Sequence, residues 1–474
     1  MRYPRDMRGY GDQTPRAPWP NSAKIAVQFV VNYEEGAENN ILHGDSASEA
    51  FLSEIVGAAA WPNQRHWNME SLYEYGARAG FWRLHALFTK ADIPVTVYGV
   101  AQALKRAPDQ VQAMLEADWE IASHGLKWIE YKDHSPEEER ADIIEAIRMH
   151  ELITGQKPQG WYTGRCSVNT VDLVAEQGVC TYQSDCYGDD LPYWHETPSG
   201  PQLMVPYTLD ANDMRFATPQ GFNTSEHFFT YLKDSFDALY AEGLAGTPKM
   251  MSIGLHCRLI GRPGRIQGLR KFIDYVKSHE QVWLAKRIDI AKAWVEAHPY
   301  KPPFSPASLS EEDFMAHFGG VYEHSQWIAE HTFADELGPV HNSPSAFAAA
   351  MAYHFRAASD NRRLSVLRAH PDLAGKLAQA RQLTPESADE QASAGLDALT
   401  DAEKQTFTEL NEAYVAKFGH PFIIAVKAHT KASILAAFKK RINHDSATEL
   451  QEACQQVEKI AGFRIKAIFD SEND

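Results

Sequence analysis

A chain of 474 residues is longer than a single hydrophobic core usually serves, so its length predicts two domains. A formal net charge of −17 argues against nucleic acid or anionic membrane as the main partner, and no apolar run approaches the ~18 residues that a membrane span needs. Five cysteines without CxxC spacing encode neither a disulfide framework nor a zinc knuckle, and the first twenty residues hold no apolar signal region, so a reduced, cytoplasmic protein is expected.

The first predicted strand, Lys24–Val31, ends in Asn32-Tyr33-Glu34-Glu35-Gly36, which puts two adjacent carboxylates where a buried segment surfaces. Pro94–Val100, Trp119–Ser123, Val179–Gln183, Leu203–Thr208, Met250–Leu255 and Val282–Ala285 follow as further strands. Most are near-continuously apolar, the pattern of parallel strands covered on both faces. Amphipathic stretches lie between them. The clearest starts at Ser135, with Pro136 at the first helical position, Glu138 closing a capping box and Gly155 at the stop. About seven strand–helix units in under 300 residues predict a distorted or incomplete (β/α) barrel.

The segment HPYKPPFSPASLS, residues 298–310, breaks this alternation with four prolines. Beyond it the β-rich runs vanish, and Glu311–Phe318, Ser345–Ala358, Asp401–Phe418, Lys431–Asn443 and Thr448–Phe463 read as helices. The expected organisation is an α/β domain over residues 1–300, a Pro-rich linker over 301–310 and an all-α domain over 311–474.

In a (β/α) barrel the chemistry gathers where strands end. The predicted strand ends collect Glu34 and Glu35, His124, Tyr162 and Arg165 of GWYTGRCS, Asp185 of SDCYGDD, and His256. Singly, an acid pair after a strand is commonly solvated loop, and a histidine there is more often structural than catalytic. Recurrence at one rim outweighs those readings.

The arrangement resembles the polysaccharide-deacetylase (NodB-like) family, whose first strand ends in Thr-Phe-Asp-Asp-Gly and whose third-strand motif is His-Ser-x-x-His. Here these become Asn32-Tyr33-Glu34-Glu35-Gly36 and His124-Gly-Leu-Lys-Trp128. In that family one Asp is the general base and the other joins two histidines on a metal. An indole donates only, so Trp128 removes one ligand and leaves Glu35 and His124, short of the three a catalytic zinc needs. The runs NYEEGAE, ASHGLKW, GWYTGR, DDLPYW, YTLDANDMRF and GLHCRLIGRPGR together are similar to the metal-independent allantoinases of this superfamily, over residues 1–300. The resemblance implies hydrolysis of (S)-allantoin to allantoate without metal or cofactor. It implies Glu34, Glu35, His124 and His256 as catalytic residues, with either glutamate as base and His256 as acid. Trp128, Tyr162, Arg165 and Asp185 are then expected at the substrate.

In the helical half, LRAHPDLAGK presents His370 before a proline, and SADEQASAGLDAL, FGHPFIIAVKAHTK and KIAGFRIKAI follow in order. Together they resemble 2-oxo-4-hydroxy-4-carboxy-5-ureidoimidazoline (OHCU) decarboxylase over roughly residues 308–470. The resemblance implies His370 and Glu390 as catalytic residues, with Ser387, Gln391, Phe422, Ile423 and Arg464 at the substrate and no cofactor. The expected partners are small ureides, and a homo-oligomer is expected. The rival readings are a metal-dependent deacetylase of N-acetylated sugars and a non-catalytic ureide-binding protein.

Overall fold

A computed structural model describes residues 5–11, 14–302, 304–335, 337–371, 373 and 399–473. Two compact units divide the chain: one is Gly9–Tyr300, and the other groups the chain from Lys301 onward with the segment that ends at Arg8.

The first unit is built on nine strands: β1 (Ile25–Tyr33), β2 (Val95–Gly99), β3 (Glu120–Ser123), β4 (Gly160–Trp161), β5 (Tyr182–Gln183), β6 (Tyr193–Thr197), β7 (Gly200–Met204), β8 (Lys249–His256) and β9 (Val282–Leu284). Their order in the sheet is β6-β7-β5-β4-β3-β2-β1-β8, with β9 beside β1, and every pairing is parallel except the β6–β7 hairpin. Helices wrap this sheet, giving the expected distorted barrel of polysaccharide-deacetylase type, open between β6 and β8. All nine residues of β1 are buried. Ile25, Val27, Phe29, Val31 and Tyr33 join the large core with the helices, whereas Val30 belongs to a small interior cluster with Tyr98, Ala122, Tyr162 and Tyr207.

Two strands escaped the sequence reading. β4 has two residues, too few to show a period, and β6 is a partly exposed edge strand without an apolar run. The run Leu203–Thr208 pairs instead over Gly200–Met204, because Pro206 lacks the N–H that a ladder needs. The Ser135 capping box forms as expected: Ser135 Oγ accepts from Glu138 N at 3.3 Å, Glu138 Oε2 accepts from Ser135 N at 2.9 Å, and the helix stops at Gly155.

Register decides where the site lies. Tyr33 pairs with Gly99, Gly99 with Ser123, Ser123 with Trp161 and Trp161 with Gln183, while Asn32 pairs with His256. The residues that follow this row emerge on one rim.

The second unit is helical: Glu311–Phe318, Trp327–Phe333, Pro344–Ala357, Asp360–Ala369, Asp401–Phe418, Lys431–Arg441 and Ser446–Asn473. Asp360–Ala369 went unread because its sequence, DNRRLSVLRA, buries only Val366 and Leu367. The last helix runs well past the expected end at Phe463. Phe314, Phe347, Met351, Phe355, Val457 and Phe469 anchor one core, and Phe407, Tyr414, Phe422, Ile434 and Phe438 a second. No helix among the described residues is long and apolar enough to cross a membrane.

Candidate active sites

Where β1 ends, Ala37 N donates to Glu34 O at 2.9 Å, closing a turn whose third residue, Gly36, has φ +95°. That conformation suits glycine, so the turn can be this tight and both carboxylates fold back under the rim. Glu34 and Glu35 are buried, 1% and 3% exposed.

Glu34 is a hub. Arg258 Nη2 donates to its Oε2 at 2.6 Å, and His124 Nε2 and His256 Nε2 each lie 3.4 Å from its Oε1. Burial works to raise the Glu34 pKa, but the charges of Arg258 and His256 outweigh it and hold this carboxyl well below the usual range. Glu35 behaves oppositely. Burial, aided by the Glu34 charge, pushes its pKa up despite Arg258, whose backbone N–H donates to Glu35 Oε1 at 3.2 Å.

His124 stands at the end of β3, where its Nδ1 donates to Tyr162 O at 2.8 Å. A carbonyl only accepts, so this bond fixes the proton on Nδ1 and turns Nε2 toward Glu34. The Tyr162 ring packs 5.1 Å from the His124 ring, and its hydroxyl meets that of Tyr187 at 2.8 Å. Asp185 accepts from Thr163 N and Gly164 N, both at 2.7 Å. It therefore holds the loop that carries Arg165. The Arg165 guanidinium lies 3.6 Å over the Trp128 ring, and its Nη1 donates to Glu49 at 3.1 Å. Among the described residues, its buried Nε and Nη2 meet no acceptor, which leaves two donors for a ligand. Trp128 is buried between Arg165 and Arg258.

At the end of β8, His256 Nδ1 donates to Asp213 Oδ1 at 2.6 Å, and Asp213 Oδ2 accepts the backbone N–H groups of His256 and Ile260. Burial disfavours the charged imidazole, yet the carboxylates of Glu34 and Asp213 prevail and raise its pKa to about 9. Every N-terminal residue singled out by sequence is thus placed on one rim. Asp213 and Arg258 were missed, although both lie inside the runs YTLDANDMRF and GLHCRLIGRPGR.

The site does not fit a metal ion. Arg258 already holds oxygens of both glutamates, Trp128 offers no lone pair, and no three His, Cys, Asp or Glu side chains among the described residues converge as a metal requires.

In the second unit, His370 caps the helix Asp360–Ala369 and its Nδ1 donates to Val366 O at 2.9 Å. Burial holds its pKa below the ordinary value, partly countered by Glu323. Arg464 Nη1 donates to Glu323 Oε2 at 2.9 Å, and both groups act electrostatically on His370. Phe422 and Ile423 are buried in the two helical cores, and Arg441 Nη1 donates to Ile423 O at 2.7 Å. Ser387, Glu390 and Gln391 lie outside the described residues. Glu323, in the run LSEEDFMAHFGGVYEHSQW that shares in the decarboxylase resemblance, was not itself singled out.

Sequence comparison places these geometries. The family model for OHCU decarboxylase matches residues 307–466, and the one for polysaccharide deacetylase matches residues 69–180. A Schizosaccharomyces pombe protein assigned to the polysaccharide deacetylases is 45% identical over 316 residues, 63% of this chain and 98% of its own. The Haloferax volcanii 2-oxo-4-hydroxy-4-carboxy-5-ureidoimidazoline decarboxylase is 39% identical over 164 residues, 35% of this chain and 94% of its own. The chain belongs to the polysaccharide deacetylase family through its N-terminal part and to the OHCU decarboxylase family through its C-terminal part. Within the first family, the crystal structure of Puue allantoinase is 56% identical, covers 64% of this chain and all of its own, and superposes with a TM-score of 0.63.

Proposed function

We propose that the chain is a bifunctional enzyme of urate catabolism, which decarboxylates OHCU to (S)-allantoin in its C-terminal part and hydrolyses (S)-allantoin to allantoate in its N-terminal part. The observation that carries the hydrolase reading is Glu34 Oε1, equidistant from the Nε2 atoms of His124 and His256; Arg165, stacked on Trp128, adds an Nε and an Nη2 that meet no acceptor among the described residues.

Ring opening needs a base for water, a donor for the oxyanion and an acid for the leaving nitrogen. Glu34, held ionised, accepts the water proton as its oxygen adds to the ring carbonyl carbon. Arg165, through its unpaired Nε and Nη2, binds a carbonyl oxygen of the substrate. The C–N bond then breaks and the ring nitrogen takes a proton from the His256 imidazolium. The products of this cleavage are a carboxylate and a second ureido group, as in allantoate.

For the decarboxylase, His370 keeps its proton on Nδ1 and is predominantly neutral, so Nε2 is an acceptor suited to the substrate hydroxyl. As the C–CO2 bond breaks, the electron pair passes into the ring system. Arg464, paired with Glu323, is the cation that stabilises that charge in this reading. Ser387, Glu390 and Gln391, outside the described residues, keep the roles that the resemblance implies, with Glu390 either setting the His370 tautomer or holding the ureido nitrogens.

The test supplies (S)-allantoin to the purified full chain in the presence of a strong chelator and follows allantoate by NMR. Turnover without added metal is expected; activity that vanishes on chelation and returns with zinc would refute the metal-free site.

A further inference from the structure

Glu34, Glu35 and Glu38 are all buried within five residues of each other after β1. Such a cluster needs compensating positive charge, because desolvated carboxylates repel one another and lack water. Arg258 supplies it. Its side chain is 1% exposed, with Nη2 2.6 Å from Glu34 Oε2 and Nη1 3.5 Å from Glu35 Oε1. Nε donates to Leu52 O at 3.0 Å, and the guanidinium lies 4.2 Å from the Tyr73 ring centre and 5.2 Å from that of Trp128. Hydrogen bonds and aromatic walls therefore fix it from several sides.

From this geometry we propose that Arg258 is a built-in cation: it, rather than the loss of a ligand at position 128 alone, closes the carboxylate pair to metal ions and takes over the charge-compensating duty a metal would have. A zinc ion would need a carboxylate oxygen at about 2.0–2.2 Å. It could reach Glu34 Oε2 or Glu35 Oε1 only by displacing the guanidinium or by sharing a desolvated pocket with it, and two such cations repel. Trp128 and Arg258 act as a pair, since the indole provides the apolar wall beside the guanidinium. Arg258 is a positioning residue. By engaging Glu34 Oε2 it leaves Oε1 turned to His124 and His256.

The activity arm of the test rests on the ring-opening reading; the metal arm does not. Zinc retained per chain after gel filtration is measured for the full chain and for W128H, R258M and W128H/R258M, with allantoin turnover alongside. The unmodified chain and W128H are expected to retain no stoichiometric zinc, and W128H/R258M about one ion per chain. R258M is expected to lose on the order of 10²–10³ in kcat with little change in KM, and methylguanidinium should restore part of it. Stoichiometric zinc on W128H, a folded double variant that binds none, or full turnover by R258M unaffected by methylguanidinium would each overturn the proposal. Should R258M not fold, R258Q carries the same measurements. If neither folds, recovery of the native far-ultraviolet circular dichroism with zinc or methylguanidinium supports the proposal, and no recovery with either overturns it. A chain that binds metal as expected but never opens allantoin would refute the functional reading and leave the role of Arg258 standing.

Discussion

His256 Nδ1 donates to Asp213 Oδ1 at 2.6 Å while Nε2 of the same ring faces Glu34 Oε1 at 3.4 Å, so one imidazole stands between two buried carboxylates. Its pKa, raised to about 9 against an ordinary value of 6.5, makes it an acid throughout the neutral range. The sign follows. A reaction that needs the imidazolium declines as pH rises through about 9, and the stability gained from the raised pKa is fully present below 6.5 and lost over the same rise. Asp213→Asn removes one of the two charges, so the alkaline limb of kcat/KM should move to lower pH. A limb that stays in place would exclude Asp213 as the residue that sets it.

Glu34 and Glu35 are neighbours with opposite tendencies, and the roles proposed for them differ accordingly. Glu34 is held ionised and touches both histidines; Glu35 has a raised pKa and meets mainly Arg258 and the backbone. Glu34→Gln should lower kcat by roughly 10²–10⁴, the range for loss of a general base. Glu35→Gln, which keeps the size of the side chain and leaves Glu34 in place, should cost distinctly less. Steady-state kinetics on folded variants decide, and the reverse order would exchange the two roles.

The rim was legible in the sequence because parallel strands that end in register announce themselves as apolar runs, each followed by a polar residue. Glu34, His124 and His256 were found this way. Arg258 and Asp213 were not, because neither directly follows a strand. Arg258 comes two residues after His256, and Asp213 lies in a 3-10 turn, Asp213–Ala217, reached through a loop. Their partners are 224 and 43 residues away in sequence, distances that no local pattern reports. The same limit hid Glu323 from Arg464, 141 residues apart. Short or edge strands such as β4 and β6 were invisible for a different reason: they bury too few apolar side chains to leave a period.

Gly80 shows how closely the site is supported from behind. A Cβ at this helical position would overlap the carbonyl oxygen of Cys257, the residue after His256. Alanine favours a helix over glycine by up to ~1 kcal/mol, so any loss in Gly80→Ala reports the clash. Because the obstacle is backbone, the variant should be destabilised by about 1–3 kcal/mol and should displace His256, lowering kcat. Urea unfolding with kinetics checks both, and unchanged stability would mean that the strand end yields freely.

The two reactions should be separable by single substitutions. No residue of the barrel core, around Val27, Phe29 and Leu255, belongs to the helical cores around Phe347 and Phe438, and each proposed site draws its described residues from one unit. Mutations without shared partners usually act additively. His370→Ala should therefore abolish stereoselective decarboxylation yet preserve hydrolysis of supplied (S)-allantoin. His256→Ala should make the chain accumulate (S)-allantoin from OHCU, because decarboxylation continues while the proton for the leaving ring nitrogen is missing. Enzymatic allantoin is chiral, so circular dichroism follows its appearance and disappearance in each variant. If a folded His370→Ala protein also failed to open the ring, the two sites would be coupled and this division of labour would be wrong.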